Sequence, residues 1–261
     1  MQFQAKGGQT MIDIHTHILP HLDDGAKDTA TAIAMLQMQS EQRVKKVVLT
    51  SHYYGRKHSP QRFLEKRSEA FARIKNDLPE DMEVKLGAEV HFTGVNMPEF
   101  DKLCGLAIEG TKYILLELPF TSKWTGDILN KLSDFVYETG YTPIIAHVER
   151  YGEVLKKPSL VNDLVEMGCL IQVNAQSFID KNTKGFAFAL LRHDLVHCIG
   201  SDAHDTENRA PCLDTAKQAI ERAGYSTEWD KIQENMCKIL NGEKVEVDFA
   251  FPVKKFFGKY R

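Results

Sequence analysis

The chain has 261 residues, of which 43% are hydrophobic and 26% are charged, and its formal net charge at pH 7 is −3. This composition is ordinary for a folded protein of one or two domains, and the acidic balance excludes a general attraction to nucleic acid. The five cysteines are far apart and form no Cys-x-x-Cys pair, which favours a reducing compartment. No apolar run reaches membrane-spanning length, so we expect a cytoplasmic protein without a transmembrane segment.

Three regions are expected along the chain. Residues 1–10 are polar and lack a signal-peptide core, which predicts an N-terminal extension or an alternative start. Residues 11–242 contain no linker, repeat or low-complexity segment, so we expect one domain there. Residues 243–261 form a tail that combines basic and aromatic side chains. For this tail a solvated, loosely packed terminus is favoured over docking on a membrane or partner.

Seven short apolar segments rich in β-branched residues predict strands at residues 11–15, 46–51, 84–89, 113–118, 142–147, 170–174 and 196–200. Helical patterns separate these segments. Asp28 is suited to cap a helix that extends to Gln42, and Ser59-Pro60 opens a second helix. Further helices are predicted before Gly140, from Pro158 to Gly168, at residues 186–193, from Pro211 to Gly224, and before Asn241-Gly242. This alternation predicts parallel strands, in an open sheet or in a closed barrel.

Polar residues at the carboxyl ends of these strands decide between the two architectures. They are His15, His17, His52, Glu89, Glu117, His147, Asn174, Asp202 and His204. In a barrel the strand ends converge on one face, where α/β-barrel enzymes build their sites, whereas an open sheet would spread them. We therefore predict an α/β barrel of seven strands.

The histidines and carboxylates in this set predict a metal centre. A single His-x-His sequence is equally consistent with two histidines on an exposed strand end, but a whole converging set of ionisable groups needs a counter-charge. Divalent cations supply that charge. Mixed imidazole and carboxylate ligands suit zinc, manganese or iron better than calcium.

Five motifs resemble, in order, the metal-binding motifs of the polymerase and histidinol phosphatase (PHP) superfamily. They are His15-Thr16-His17, Thr50-Ser51-His52, Gly87-Ala88-Glu89, Ala146-His147-Val148-Glu149-Arg150-Tyr151 and Gly200-Ser201-Asp202-Ala203-His204. Within the superfamily, Leu22-Asp23-Asp24-Gly25 and Leu195-Val196-His197-Cys198 resemble the bacterial manganese-dependent protein-tyrosine phosphatases encoded with capsule and exopolysaccharide genes. The resemblance covers residues 11–241 and implies a distorted (β/α)7 barrel of the PHP type.

The resemblance also implies two or three bound ions, with Mn²⁺ preferred and iron or zinc as alternatives. One ion would bind His15, His17, Glu89 and Asp202. Glu89 would bridge to a second ion held by Glu117 and His147, and a third would bind Asp24, His52 and His204. Asp24 stands where some other branches of the superfamily have histidine. For Glu117, the alternative is a buried carboxylate paired with a lysine or arginine.

The implied reaction is the hydrolysis of phosphotyrosine by a metal-bridging hydroxide. Arg150 and Arg209 would clamp the phosphate, the alternative for each being a surface salt bridge. His204 or metal-bound water would assist the leaving phenol, with Asp202 also in the catalytic centre. No cysteine is followed six residues later by arginine, which excludes the cysteine-based phosphatase mechanism. The implied partner is a phosphotyrosine protein, the tail of an autophosphorylated tyrosine kinase of a polysaccharide export system.

Three other functions are weighed against this one. A small-molecule phosphatase such as a histidinol-phosphate phosphatase would share the metal core. A metal-dependent nuclease is disfavoured because the chain has no basic stripe, and no nucleic acid partner is expected. A silent metal-binding scaffold would lack ligands, and none of the expected positions is lost. Of the remaining histidines, His91 is expected beside the site without binding metal, and His197 in the apolar core.

Overall fold

The computed structural model describes residues 10–93, 103, 105–120, 123–124, 126–256 and 259–261. Residues 1–9 of the predicted N-terminal extension lie outside this part of the chain. The strands are β1 Met11–Thr16, β2 Val44–Leu49, β3 His52–Tyr53, β4 Glu83–Leu86, β5 Glu89–His91, β6 Tyr113–Glu117, β7 Thr142–Ile145, β8 Leu170–Asn174, β9 Cys198–Gly200, β10 Lys255–Phe256 and β11 Lys259–Tyr260. The α-helices are α1 Thr29–Glu41, α2 Pro60–Ala72, α3 Gly126–Thr139, α4 Gly152–Lys156, α5 Leu160–Glu166, α6 Lys184–Arg192, α7 Leu213–Arg222 and α8 Ser226–Asn241.

The first nine strands are parallel and follow one another around a barrel. β1, β2 and β4 form one sheet, and β3, β5, β6, β7, β8 and β9 form the other. A parallel bridge between Thr16 and Ala203 joins β1 to the segment after β9. Backbone hydrogen bonds from Asp202 N to His15 O at 2.8 Å and from His17 N to Ala203 O at 2.9 Å reinforce this closure. The seven predicted strands therefore lie in sequence order around a barrel, as expected.

Two of the predicted strands are interrupted. The segment 46–51 is divided into β2 and β3, and the segment 84–89 into β4 and β5. At the interruption Gly87 N donates to Leu49 O and Glu89 N donates to Thr50 O, both at 2.9 Å. These bonds keep the two segments side by side while the regular ladder is broken. The barrel is distorted at this point for that reason.

The caps that the sequence predicted are present. Asp28 accepts from Thr31 N at 2.7 Å at the start of α1, and Ser59 accepts from Arg62 N at 3.3 Å before Pro60. Gly140 and Gly168 adopt positive φ angles of 64° and 91° where α3 and α5 end. Such angles are readily adopted by glycine, which has no Cβ. The short helix α4 was not predicted, and α5 begins two residues later than Pro158.

The C-terminal tail packs on the barrel, so the prediction of a loosely packed terminus is wrong for its described part. Val245 and Val253 are buried, and Asn162 Nδ2 of α5 donates to Ala250 O at 2.7 Å. The ring of Tyr260 lies 4.6 Å from that of Phe186 in α6. The tail is thus attached to the rest of the protein at Val245, Val253 and Tyr260, whereas Phe249 and Phe251 are 81% and 72% exposed. Within the described ranges, no helix is long and apolar enough to cross a membrane.

Candidate metal centre

All nine predicted ligands meet at the carboxyl ends of the strands, although they come from every part of the sequence. Contacts of 3.7 Å or less between ring nitrogens and carboxylate oxygens join them into one network of His15, His17, Asp24, His52, Glu89, Glu117, His147, Asp202 and His204. Because parallel strands place their carboxyl ends on one face, residues up to 189 positions apart become neighbours.

Glu89 lies at the centre of this network. Its Oε2 is 3.4 Å from His15 Nε2, 3.2 Å from His17 Nε2 and 2.9 Å from His52 Nδ1, while Oε1 is 2.9 Å from His147 Nε2. Complete burial alone would raise its pKa, but His15, His147 and His17 hold the pKa of Glu89 well below its usual value. A carboxylate reached by so many imidazoles is suited to bridge two cations.

Asp202 stands between the histidines and the two arginines. Its Oδ1 lies 3.5 Å from His15 Nε2 and 3.4 Å from His17 Nε2. Its Oδ2 accepts a hydrogen bond from Arg150 Nη1 at 3.1 Å and forms a salt bridge with Arg209 Nη2 at 2.8 Å. One oxygen thus faces the imidazoles, and the other faces the guanidinium groups.

Two residues of the network have backbone angles that are unusual for residues other than glycine. Asp202 has φ +54° and His147 has φ +34°, and both side chains are buried in the centre. Such angles cost of the order of 1–3 kcal/mol and persist where surrounding contacts impose them. At Asp202 the hydrogen bond from its N–H to His15 O supplies such a contact. With these angles the His147 ring reaches Glu89, and the Asp202 carboxylate reaches His15 and His17.

The residues expected to hold the third ion are also together. Asp24 Oδ1 lies 3.6 Å from His52 Nε2 and 3.6 Å from His204 Nε2. The Asp24 side chain is 66% exposed, so this part of the network opens to solvent. The interaction with His204 lowers the pKa of Asp24, and burial lowers the pKa of His204. A neutral imidazole beside an ionised carboxylate is the protonation state that metal binding needs.

The orientation of His204 fits a ligand. Its Nδ1 is 2.8 Å from Asp202 O, an acceptor, so Nδ1 carries the proton and donates it. Its Nε2 is buried and has no hydrogen-bond partner among the described residues. The lone pair of Nε2 is therefore directed towards Asp24 with no proton to saturate it. A cation at this position would satisfy an otherwise orphaned buried atom.

In the described part of the chain, Glu117 does not form the ion pair with lysine or arginine that is the alternative to metal binding. Its Oε1 lies 3.7 Å from His147 Nε2 and its Oε2 lies 3.0 Å from His91 Nδ1. Neither a lysine nor an arginine pairs with it there. His91 thus touches a predicted ligand from the side, as expected of a residue that orients a ligand.

The nitrogen and oxygen atoms group as cation sites do. Three sets have potential ligand atoms within 4.8 Å of one another: His17, Asp24, His52 and His204; His15, His17 and Asp202; and His52, Glu89 and Glu117. In addition, His15 Nε2 and His17 Nε2 face each other at 3.1 Å. Two imidazole nitrogens at this separation, beside ionised carboxylates, match the ligand chemistry of divalent transition metals. The residues present therefore fit a metal centre.

Comparison with known proteins decides the family. Residues 11–241 match the family described as "Capsular polysaccharide synthesis, CpsB/CapC". The chain belongs to the CpsB/CapC family. It is 32% identical over 259 residues to the tyrosine-protein phosphatase YwqE of Bacillus subtilis (strain 168), across 95% of this chain and 99% of that protein. It is 30% identical over 226 residues to the tyrosine-protein phosphatase CpsB of Streptococcus pneumoniae, across 80% of this chain and 89% of that protein.

A solved structure extends the likeness to three dimensions. It comes from the crystal structures of YwqE from Bacillus subtilis and CpsB from Streptococcus pneumoniae, called unique metal-dependent tyrosine phosphatases. The match has a TM-score of 0.83 at 30% sequence identity and covers 94% of this chain and 100% of that chain. The resemblance to capsule-associated phosphatases and the predicted barrel are both confirmed by these comparisons.

The sequence did not predict a role for Asp23, which supports two ligands in this CpsB/CapC chain. Asp23 Oδ2 lies 2.7 Å from His17 Nδ1 and accepts from His52 N at 2.8 Å. Burial would raise its pKa, but His17 lowers the pKa of Asp23 to about 2, and Asp23 in turn helps to raise that of His17. The carboxylate thus fixes the ring of one predicted ligand and the backbone of another. The signal in the sequence is that Asp23 directly precedes Asp24, but the resemblance assigns a role only to Asp24.

Two further buried polar residues support the ligands of the CpsB/CapC site. Gln172 Oε1 accepts from His147 N at 2.7 Å and lies 3.2 Å from His15 Nδ1. Asn174 Nδ2 donates to Asp202 Oδ2 at 2.8 Å. Both side chains come from β8, whose central residues alternate between the barrel interior and its outside. The sequence placed Asn174 at a strand end but gave no reason to single out Gln172.

His197 is a core residue, as expected. It is buried, its Nδ1 accepts from Ile171 N at 3.0 Å, and burial lowers its pKa to about 4. It lies outside the network of predicted ligands.

Proposed function

We propose that this chain hydrolyses phosphotyrosine in proteins with the help of two or three divalent cations, of which Mn²⁺ is preferred. As a member of the CpsB/CapC family, it is a metal-dependent tyrosine phosphatase. The observation that carries the proposal is the position of Asp202, whose one oxygen faces His15 and His17 while the other forms salt bridges with both arginines. A predicted metal site and a predicted phosphate clamp are thereby held side by side.

The nine-residue network would hold the cations. The three groups implied by the resemblance differ in part from the sets of neighbouring ligand atoms, in which His52 also joins Glu89 and Glu117 and His147 is not included. Bound divalent cations supply concentrated positive charge and lower the pKa of water. Three of the predicted ligands are in the form that binds a cation: Glu89 and Asp202 are ionised, and His204 is neutral with its proton on Nδ1. We assign His204 to the ligands first, because its free Nε2 is already directed to Asp24.

Arg150 and Arg209 would bind the phosphate. Both line a cavity of about 270 Å³, together with Asn174, Ser177 and Asp202. Each guanidinium is about two-fifths exposed and uses one nitrogen on Asp202. The guanidinium group carries five N–H donors, so further donors remain for phosphate oxygens. Asp202 therefore holds both arginines in place without saturating them.

An exposed aromatic ring beside the centre fits an aryl phosphate. Phe120 is 40% exposed, although it lies 5.4 Å from His147 in a stacked arrangement and 5.1 Å from the guanidinium carbon of Arg150. A ring in this position offers an apolar face to the tyrosine side chain of a substrate. A phenol with a pKa near 10 is also a better leaving group than an alkoxide, so a strong general acid is less necessary.

Three of the described cysteines, Cys169, Cys198 and Cys212, are unsuited to nucleophilic attack. Burial raises the pKa of the Cys198 thiol, and that of Cys169 and Cys212 to about 12. The attacking form of cysteine is the thiolate, which such pKa values disfavour. Together with the missing Cys-x5-Arg pattern, this supports a mechanism without a covalent cysteine intermediate.

The partner we propose is the phosphotyrosine tail of a bacterial tyrosine kinase in a polysaccharide export system. The family match to capsular polysaccharide synthesis supports this choice. We also propose that residues 11–242 form the catalytic domain, since all nine ligands and both arginines lie within them.

The decisive experiment compares substrates on metal-free and metal-restored protein. After chelation, Mn²⁺, Fe²⁺ or Zn²⁺ is added back, and phosphate release is measured from a phosphotyrosine peptide, a phosphoserine peptide and histidinol phosphate. We expect no activity in the metal-free protein, best recovery with Mn²⁺, and the highest kcat/KM on phosphotyrosine. A higher kcat/KM on histidinol phosphate would identify a small-molecule phosphatase, and undiminished activity without metal would refute the mechanism.

A further inference from the structure

A second cavity opens on the other side of the metal centre and is lined by basic side chains. Its volume is about 370 Å³, and its wall includes Asp24, His52, Tyr54, Lys57, His58 and Lys66. The cavity thus contains two predicted ligands and a group of three basic residues, which we call the basic cleft: Lys57, His58 and Lys66. The arginines of the proposed phosphate clamp line a different cavity.

The basic cleft is connected to the metal centre through Tyr54. The ring of Tyr54 lies 5.1 Å from that of His52, and Lys57 Nζ lies 4.6 Å from the Tyr54 ring centroid. Backbone hydrogen bonds from Lys57 N and His58 N to Tyr54 O, at 2.8 and 3.3 Å, form the turn that holds these residues. The position of the positive charges relative to the predicted ligands is therefore set by local structure.

The lysines of the cleft lack a protein counter-charge. Among the described residues, no salt bridge joins Lys57 or Lys66 to a carboxylate, and Lys66 Nζ instead lies 3.3 Å from His58 Nε2. The two carboxylates on the cavity wall are engaged elsewhere, Asp23 with His17 and Asp24 with His52 and His204. The ammonium groups of Lys57 and Lys66 are therefore available to an anion that enters the cavity.

We propose that the basic cleft binds a second anionic side chain of the same substrate, a carboxylate or a second phosphorylated residue near the phosphotyrosine. This inference rests on the proposed function, because the reacting phosphate must occupy the metal centre next to the cleft. An extended peptide advances about 3.3 Å per residue. Because the Tyr54 ring lies 5.1 Å from the His52 ring and 4.6 Å from Lys57 Nζ, a side chain two to four residues from the phosphotyrosine can reach Lys57. The chain thus selects acidic or multiply phosphorylated tyrosine segments.

The test uses one peptide scaffold in three forms, on the Mn²⁺-loaded protein. The phosphotyrosine is flanked by neutral residues, by glutamates, or by a second phosphotyrosine, on either side, and kcat/KM is measured for each form. We expect the anionic forms to be preferred over the neutral form by about five- to thirtyfold, since two part-exposed charge pairs contribute up to about 1 kcal/mol each. Raising the salt concentration should reduce this ratio, because exposed charges are screened.

Variants locate the preference in the cleft. The double variant Lys57→Ala/Lys66→Ala should bring the ratio to within about twofold of unity. The variant Lys57→Arg/Lys66→Arg keeps the charges and should keep the ratio. Lys75→Ala is the matched control, because Lys75 is an exposed lysine just beyond the far end of α2 and lies outside the cavity. It removes one of the same charges and should leave the ratio as in the parent.

Two results would overturn the inference while leaving the proposed function intact. One is a parent protein that cleaves neutral and anionic phosphotyrosine peptides equally well. The other is a double alanine variant that retains the parent's preference. A preference for the doubly phosphorylated form alone, lost in the double alanine variant, would assign the cleft to phosphate rather than carboxylate. If the Mn²⁺-loaded parent cleaves none of the phosphotyrosine peptides, the proposed function itself fails, and the inference falls with it.

Discussion

Asp202 shows how one side chain serves two parts of the site. Its Oδ1 faces His15 and His17, and its Oδ2 receives Arg150 and Arg209. The two arginines do form salt bridges, but their partner Asp202 is a buried predicted metal ligand and not a surface carboxylate. Their role as a phosphate clamp remains a prediction, and it can be separated from a purely structural role.

For Arg150→Ala and Arg209→Ala we expect kcat/KM on a phosphotyrosine peptide to fall by about ten- to a thousandfold. The metal content of each single variant should stay near that of the parent, because Asp202 keeps the other arginine and Asn174. Lysine at either position should restore little, since a point charge does not reproduce the planar fork. Metal analysis and kinetics on the same samples check this, with His15→Ala expected to lose metal and activity together. Loss of metal in the arginine variants alone would contradict the assignment.

A second residue-scale prediction concerns Asp23. Asp23→Asn keeps the shape of the side chain but removes the charge that holds His17, so we expect metal affinity to fall by about ten- to a hundredfold. The measurement is a titration of metal-free protein with Mn²⁺. Asp28→Asn is the matched control, because asparagine is an equally good helix cap and Asp28 lies at α1, outside the network. Equal affinities of Asp23→Asn and the parent would show that Asp23 does not support the site.

At the scale of elements, the contact between β1 and β9 brings the two ends of the domain together. Gly200 ends β9, and a Cβ there would overlap the Cβ of His15 and come within 3.1 Å of His15 N. Only glycine allows the two strands to approach so closely. The spacing of the first and last metal motifs therefore depends on a residue that binds nothing itself.

We expect Gly200→Ala to lower the free energy of unfolding by about 1–3 kcal/mol, because the added methyl group overpacks the barrel. It should also weaken metal binding, since His15 would have to move. Gly185→Ala is the control: it lies in α6 with no atom within 4 Å of its would-be Cβ, and alanine there should stabilise the helix by up to about 1 kcal/mol. Denaturant unfolding of both variants, with and without Mn²⁺, separates the two cases. If Gly200→Ala changed neither the free energy of unfolding nor metal binding, β1 and β9 could move apart without cost and the prediction would be wrong.

At the scale of the whole molecule, the metal centre joins elements from both sheets of the barrel. The network takes residues from β1, β3, β5 and β6 and from the segments after β7 and β9. Ions bound there bind the folded chain and have no equivalent site in the unfolded one, so they should stabilise the fold as a whole.

Removing metal should therefore lower the melting temperature. At free Mn²⁺ of about 100 times its Kd, one filled site contributes about 2.7 kcal/mol, which corresponds to roughly 5–10 °C for a domain of this size. Thermal unfolding followed by circular dichroism, before and after chelation, measures the difference. His15→Ala should show a much smaller shift on adding Mn²⁺. Identical melting temperatures in the metal-free and Mn²⁺-loaded parent would contradict a site that connects the two sheets.

The sequence by itself determined the seven strands, most of the helices and the nine predicted ligands. The strands, the helices and eight of the nine ligand positions follow from local rules: apolar runs, capping residues such as Asp28, and polar residues where strands end. Asp24 and the grouping of the ligands around individual ions came from the resemblance to the PHP superfamily. The tertiary structure decided which residues that are remote in the sequence come into contact. It revealed Asp23 and Gln172 beside the ligands, both arginines on Asp202, the interruption of two strands, and the packed tail. Their partners lie from 6 to 157 residues away, and no local pattern encodes such pairings. Only the closure of the barrel, which brings strand ends to one face, brings them into contact.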